Sequence, residues 1–404
     1  MRSLHYLLIP LIVFLIGLPA EAGNKIQENH NQPEILEQVH LNLNDEDNEV
    51  TQSAQVEENQ DEKSLAKKLE ADYELEVWKY DIDFLLKEKL IHKYDENSKM
   101  DRFHIWGAYN GDLGLSVSES GSVSNHYDTN ALNLGFDGFT KDEKSDFRIM
   151  MSFPTRTKRN YAQTLFADVY VSFNQIPKHK IILGHTRAPV GVEGGGSSYT
   201  LPFINRSQIS RNFGTARKIG ARVKGDYEFI DYDFGLYSSD TYFQEFFPGG
   251  EFAGWVNFKP LGKKNKDKYG ELTIGGGVES GHRENTYCVT GLYAGYEYKR
   301  FLANFEWANA DGYNGTAGHS IDKHAGGFYT TLGYMLTKKL QLLVRYDELD
   351  PDKNIGNNKK REYTAGINYY IKGQALKVML NYVFCQNDNS KDSHRIILGT
   401  QILI

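Results

Sequence analysis

Seven basic residues crowd one window of the chain, HTRAPVGVEGGGSSYTLPFINRSQISRNFGTARKIGARVKG (185–225). They are Arg187, Arg206, Arg211, Arg217, Lys218, Arg222 and Lys224, and Glu193 is the window's only acid, in a chain whose formal net charge is -7. Planar guanidinium groups donate paired hydrogen bonds that match carboxylate and phosphate oxygens. Cations arrayed along a water-filled path favour anions, because each offsets part of the hydration that a passing anion gives up. In an extended segment Lys218, Arg222 and Lys224 share one face, opposite Ile219, Ala221 and Val223, so these three are expected to face water. Arg187, Arg206 and Arg211 belong to a strand end and to the loop itself. The glycines of GVEGGGSS, Gly194, Gly195 and Gly196 among them, give that loop the freedom to fold inward. The chemistry implied is electrostatic recognition of small anions. Asp168, Glu306 and Asp347 are expected to supply the facing wall. The competing role for the same cations is to balance such acids and brace the structure without selecting a solute.

The elements that position this window are strands. From residue 100 onward apolar and polar residues alternate at period two, the mark of a strand with one face in an apolar medium. Phe147, Ile149, Met151 and Phe153 share a face opposite Arg148, Met150 and Ser152. Ala167, Val169, Val171 and Phe173 oppose Asp168, Tyr170 and Ser172, and Phe301, Ala303, Phe305 and Trp307 oppose Asn304 and Glu306. Leu376, Val378, Leu380, Tyr382 and Phe384 oppose Lys377 and Asn381. About sixteen such segments are expected, beginning near Arg102, Tyr127, Asp146, Thr164, Lys178, Gly214, Phe229, Glu251, Tyr269, Thr286, Arg300, His324, Lys338, Arg361, Gln374 and Ser393. An even number in this range fits a bacterial outer-membrane barrel. Connections such as NQIPK, GDYEF, YKRF, LTKK and YIKGQ are short, whereas SVSESGSVSNHY, SSDTYFQEFFPGGE, NADGYNGTAGHSID and DPDKNIGNNKKR read as long external loops. Phe, Tyr and Trp make up 13% of the chain, enough to furnish aromatic girdles at both membrane interfaces. The fold class is all-β, a transmembrane antiparallel β-barrel with an N-terminal periplasmic segment that is a short helix or disordered. A soluble β-rich protein, whose strands alternate because one face packs on a core, is the competitor. A barrel of this size leaves an aqueous channel, so selection requires an inward loop to narrow it.

Residues 1–22 read as a signal peptide: Arg2, an apolar run from Leu7 to Leu18, and Ala20-Glu21-Ala22. Residues 23–99 form an acidic segment rich in Asn, Gln and Glu, with the composition of a solvated linker, and 100–404 form the barrel. Within the linker KSLAKKLEADYEL has helical spacing, while VWKYDIDFLL alternates like a strand. No later run approaches the roughly 18 apolar residues of a spanning helix, so any spans are strands.

The segments IILGHTRAPVGVE, LPFINRS and ARKIGARVKG, with the ending NYVFCQNDNSKDSHRIILGTQILI, resemble the phosphate-selective porin O and P family of Gram-negative outer membranes. The resemblance covers about residues 100–404, with the loop block its most specific part. It implies a sixteen-stranded porin, a homotrimer with an inward-folded third loop, an anion preference, and an N-terminal segment in the periplasm. Arg187, Glu193, Arg206, Arg217 and Gly220 match residues of the family's loop motif, and Glu193, Gly194, Gly195, Gly196 and Gly220 are read as positioning the loop. The implied partners are outer-membrane lipid, the barrel assembly machinery, and small anions such as phosphate. The chain departs from the family's habit by ending in Ile404 where such barrels commonly end in an aromatic residue. The alternative is a general, weakly selective porin with a structural or cell-envelope anchoring role through its N-terminal segment.

Other chemistries find little footing. Ser320 beside His319 and Ser393 beside His394 are strand neighbours that point to opposite faces, and no nucleophile-elbow pattern occurs, so no enzyme is expected. DPDKNIG (350–356) lacks the distal Glu of a calcium loop, Cys288 and Cys385 have no metal-ligand spacing, and no nucleic-acid motif or cofactor site is read. The two cysteines are expected to stay unbridged.

Overall fold

The computed structural model describes residues 91–404 apart from 95–96, 154–164, 242, 244 and 316–318. The expected signal peptide and all but the last few residues of the acidic segment lie outside the described residues. Seventeen strands are described: β1 (Ile91–Lys93), β2 (Met100–Ser118), β3 (Val123–Thr140), β4 (Ser145–Ser152), β5 (Phe166–Phe173), β6 (His179–Arg187), β7 (Arg217–Asp226), β8 (Ile230–Ser238) and β9 (Gly250–Phe258). The series continues with β10 (Glu271–His282), β11 (Thr286–Tyr298), β12 (Phe301–Tyr313), β13 (Ile321–Met335), β14 (Leu340–Asp350), β15 (Lys360–Lys372), β16 (Leu376–Asn387) and β17 (Ser390–Leu403). From β2 to β17 each strand pairs antiparallel with its chain neighbour, and β17 returns to β2 with Ser393 opposite Ser118 and Leu403 opposite Ala108. The result is a closed sixteen-stranded barrel, each strand starting within a few residues of its expected position. The three-residue β1, absent from that expectation, pairs with β2 at Arg102–His104. It continues the line of β17, just past which Ile404 exchanges backbone hydrogen bonds with Gly107.

Burial decides between membrane barrel and soluble β-protein. On β14 the buried residues include Arg345 and Asp347, while Leu342 and Val344 are exposed. β15 buries Thr364 and Asn368 and exposes Tyr363, Ile367 and Tyr369; β16 buries Lys377 and Asn381 and exposes Leu380 and Tyr382. Apolar side chains outward and polar side chains inward invert the order of a water-soluble sandwich and fit a lipid-facing wall around a polar interior.

Two connections differ from expectation. SVSESGSVSNHY is no long loop: β2 and β3 extend through it, closed by a tight turn in which Gly121 adopts φ 81° and donates to Ser118 O. Its serines suggest a loop by composition, but Val117 opposite Val123 continues the ladder. At the short-turn end, the β9–β10 connection is longer than its counterparts and holds two helical turns, Lys263–Asn265 and Lys266–Tyr269. Lysines from this connection and its flank reach strand carboxylates, Lys259 to Asp231 and Glu271, Lys266 to Glu271.

The longest described connection, residues 188–216 between β6 and β7, folds into the barrel. Its apolar residues make the interior clusters: Tyr199 with Trp106, Ala108 and Leu403; Phe203 with Leu302, Leu343 and Tyr370; Ile204 with Met379 and Ile397; Ile209 and Phe213 with Val289, Ala308 and Tyr329. Such a loop gains the burial that a solvated external loop forgoes. It therefore packs as a layer against the inner wall.

Candidate functional site

The lumen loop is held at two of its three helical turns, Val192–Gly195 and Gln208–Phe213, by carboxylates on the wall. Val192–Gly195 forms one short helical turn whose leading amides, Val192 N and Glu193 N, donate to the Glu306 carboxylate of β12 at 3.0 and 3.3 Å. Tyr329 Oη donates to the same carboxylate at 2.8 Å. The second turn, Gln208–Phe213, is capped by Ser207, whose Oγ accepts from Ser210 N, and its Gln208 N donates to Asp347 of β14 at 2.8 Å. Helix-start amides have no intrahelical partner, and side-chain acceptors satisfy them. Glu306 and Asp347, read as a facing wall for cations, lie near Arg206 and near Arg211 and Arg345 respectively, and they also hold the loop backbone.

Glu193 is the loop's internal anchor. Buried to 2% exposure, it accepts from Ser207 N at 2.7 Å and Ser210 Oγ at 3.1 Å, and faces Arg345 Nη1 at 3.4 Å. Arg345 also donates to Asn205 O at 3.1 Å and lies over the Phe203 ring at 4.6 Å. The stretch between these two turns, which includes the short helical turn Ser198–Thr200, is tied to β15, β16 and β17. Gln401 donates to Tyr199 O, Lys377 to Leu201 O, and Asn368 to Pro202 O, while Asn381 accepts from Ile204 N. Buried backbone groups need such partners because water cannot reach them.

The glycines contribute close packing rather than looseness. Gly194 and Gly214 bring the two arms of the loop together, so that a Cβ on Gly214 would stand 2.7 Å from Gly194 Cα. Gly195 is less confined, its nearest neighbour for a Cβ being 3.6 Å away, and Gly196 offers its carbonyl to two arginines. Gly220 sits on β7, where a Cβ would meet Leu236 O of β8 at 2.2 Å.

The seven cations separate by environment. Arg187, at the end of β6, donates to Gly196 O; Arg206 donates to Glu193 O and, at 2.8 Å, to Gly196 O. Arg217 pairs with Asp168 of β5 at 2.7 Å. Arg211 pairs with Glu362 at 2.9 Å, and Glu362 also receives Arg395 at 2.7 Å. Arg222 forms a two-point pair with Asp233 and donates to Arg187 O. Lys224 is half-buried on the same face, opposite Asp233 in register. Lys218 corrects the expectation that it faces water: it is wholly buried between Glu251 and Glu279, with Tyr287 Oη and Asn314 completing the cluster. Strand parity does place it inward; the neighbouring strands' carboxylates then enclose it, an outcome that parity does not contain.

At two places the cations outnumber the carboxylates bonded to them, although Glu193 and Glu306 also lie near Arg206 and Asp347 near Arg211. Arg187, Arg206 and Arg217 are near enough to repel one another, while Asp168 is the carboxylate bonded to Arg217 and attracting Arg187. Arg187 and Arg206 spend their hydrogen bonds on carbonyls, which carry no formal charge, and the nearby Glu193 is shared with Arg345. At the second place, Arg211 and Arg395 share one carboxylate, Glu362. Arg345, the single basic residue of β14, and Arg395, beside His394 on β17, lie far in sequence from the loop, and only closure of the barrel brings them to it. The inward parity of Asn368, Asn381 and Gln401 was the signal available for the loop's amide partners.

Residues 265–402, about a third of the chain, match the model of the family described as phosphate-selective porin O and P. The match includes the ending NYVFCQNDNSKDSHRIILGTQILI almost entirely, but not the loop block. Among solved structures, the chain is similar to the outer membrane channel DcaP of Acinetobacter baumannii, with a TM-score of 0.55, 10% identity, and coverage of 77% of this chain and 99% of that one. It is equally similar, at TM-score 0.55 and 10% identity, to a loop L8 deletion mutant of OmpT, an outer membrane protein of Vibrio cholerae, covering 76% of this chain and 100% of that one. At such identity these structures show the fold. No curated protein matches the chain.

Proposed function

We propose that the chain is an outer-membrane porin that admits small solutes passively and prefers anions, phosphate among them, at the positions where the lumen loop meets β6 and β7. The observation that carries this reading is the guanidinium group of Arg187, Arg206 and Arg217. Three like charges in mutual repulsion beside Asp168 are relieved when an anion enters, and in a partly dehydrated site that relief is larger than in bulk water. Arg211, a third exposed beside the shared Glu362, offers a second station. Arg222 and Lys224 complete the proposed basic face, with the loop, positioned by Glu193, Gly194, Gly195, Gly196 and Gly220, forming the constriction; Lys218, enclosed by Glu251 and Glu279, takes no part in it. The family match and the folds shared with an outer membrane channel and an outer membrane protein support the porin reading; the resemblance supports homotrimeric assembly and insertion by the barrel assembly machinery, and the pattern of residues 1–22 supports export by a signal peptide.

The test is the reversal potential in a planar bilayer under a potassium chloride gradient, with and without phosphate. The expected result is an anion-selective current reduced by millimolar phosphate, with R187Q and R211Q each lowering the anion preference. Unchanged selectivity in both variants would overturn the anion reading. One observation favours a second reading, a general pore: Arg222 and Lys218 are matched by acids, which is how bracing cations are arranged. In that case the current is weakly selective and indifferent to phosphate.

A further inference from the structure

The cations at the two rims of the barrel are matched differently. At the long-loop rim Arg283, Lys359 and Arg361 each meet a carboxylate. At the short-turn rim, the periplasmic one in such barrels, Lys259, Lys263 and Lys266 are likewise matched by strand carboxylates. Lys268, Lys299, Arg300, Lys339 and Lys372 are not: all five are exposed and have no ion-pair partner among the described residues. They follow one another around β10–β15, Lys268 in the β9–β10 connection, Lys299 and Arg300 in the β11–β12 turn, Lys339 in the β13–β14 turn, and Lys372 at the end of β15. Backbone hydrogen bonds set each turn against the next wall strand, with Met335 N donating to Arg300 O at 2.9 Å and Tyr370 N to Lys339 O at 2.8 Å.

Aromatic rings lie beside these cations on the outward rows. Tyr298 is opposite Phe301 in register, and Phe301 is opposite Tyr334; Tyr269, Tyr334 and Tyr369 are exposed. Lys268 Nζ stands 4.8 Å from the centroid of the Tyr269 ring, and Lys299 Nζ 4.9 Å from that of Tyr298. Tyrosines in such a row mark the depth at which lipid tails give way to headgroups. A lysine laid over one of them covers apolar surface with its methylenes and keeps its charge at headgroup level. Like charges gathered without counter-ions repel one another, and an anionic surface at the same depth relieves that repulsion. The acidic residues that precede β1 carry the charge to compete for these cations, but a solvated acidic segment has no use for the exposed rings. The rings favour a lipid.

We infer that the short-turn rim of β10–β15 docks the phosphate headgroups of anionic membrane lipids, with their acyl chains along the outward rows of the same strands. The inference rests on the barrel lying in a membrane and not on what its pore selects. The experiment is native mass spectrometry of the full-length protein with equimolar phosphatidylglycerol and phosphatidylcholine of identical acyl chains. The expected result is retention of phosphatidylglycerol over phosphatidylcholine by about fivefold, the usual worth of one Lys or Arg at an anionic lipid surface. That preference should fall as ammonium acetate is raised, since exposed charges are screened. K299Q/R300Q/K339Q, all in exposed turns, should bring the ratio close to parity while the reversal potential in a planar bilayer stays that of the unaltered protein. K353Q/K359Q, at the opposite rim, should leave the ratio unchanged. Equal retention of the two lipids by the unaltered protein would overturn the proposal, as would a preference that K299Q/R300Q/K339Q leaves intact. A shifted reversal potential in that variant would place its cations in the ion path and refute the assignment. If the preference emerges only after residues 24–63 are deleted, the acidic segment occupies the rim in the full chain and the lipid assignment fails.

Discussion

Arg345→Leu is the sharpest perturbation of the lumen loop. The arginine is 4% exposed and binds the loop at three points: the Glu193 carboxylate at 3.4 Å, Asn205 O at 3.1 Å and the Phe203 ring at 4.6 Å. Removing one partner of a buried ion pair typically costs ~3–5 kcal/mol, because the other charge stays behind. Ser207 N and Ser210 Oγ continue to hold Glu193, which places the expectation at the lower end, about 3 kcal/mol. At ~1.4 kcal/mol per tenfold, the docked loop then loses on the order of a hundredfold in its equilibrium against undocked forms. The barrel's strand ladders are untouched, so far-UV circular dichroism should remain that of the unaltered protein. Single-channel recording should show added open-channel noise and a larger, less selective conductance. The double variant R345L/E193Q, which removes both charges, should be quieter than R345L alone. If R345L conducts with unaltered amplitude, noise and selectivity, or if E193Q adds its effect independently, the ion pair does not hold the loop and the reasoning fails.

Other outcomes follow from the same geometry. G214V drives a side chain into Gly194 Cα, 2.7 Å from the position of a Cβ, and should alter conductance strongly; G195A, whose Cβ meets nothing nearer than 3.6 Å, should not, and equal effects would refute the packing account. K218M leaves Glu251 and Glu279 facing each other without their cation and should lower stability by ~3–5 kcal/mol, read as a lower urea midpoint for unfolding in detergent, with K218M/E279Q recovering part of the loss. Asp168→Asn removes the carboxylate bonded to Arg217 and should strengthen anion preference in the reversal potential; unchanged selectivity would place the guanidinium cluster away from the ion path. Deleting residues 24–90 should leave conductance intact, since the closed barrel begins at β2; loss of the pore would tie the acidic segment to channel function.

Alternation along each strand was sufficient to read the barrel, because one lipid-facing and one interior row repeat at period two whatever the neighbouring strand is. Phe301, Ala303, Phe305 and Trp307, or Leu380 and Tyr382, carry that signal within a dozen residues. The inward loop was legible too, from its glycines and its isolated basic charge. What local pattern does not contain is the identity of the residue facing each side chain across a gap. Lys218 has water-facing parity, yet β9 and β10 bring Glu251 and Glu279 around it. Glu306 and Asp347 read as a wall facing the cations, yet they also meet the amides of two helical turns more than a hundred residues away. Arg345 has no neighbour in sequence that marks it, and it becomes the loop's principal tie only when β14 closes across from Glu193. The sequence by itself determined the strands, their faces and the charge available to the lumen, since these depend on period and composition. Tertiary structure decided which charges are neutralised and which remain for a solute, because pairing depends on distances that only ring closure and the loop's path set.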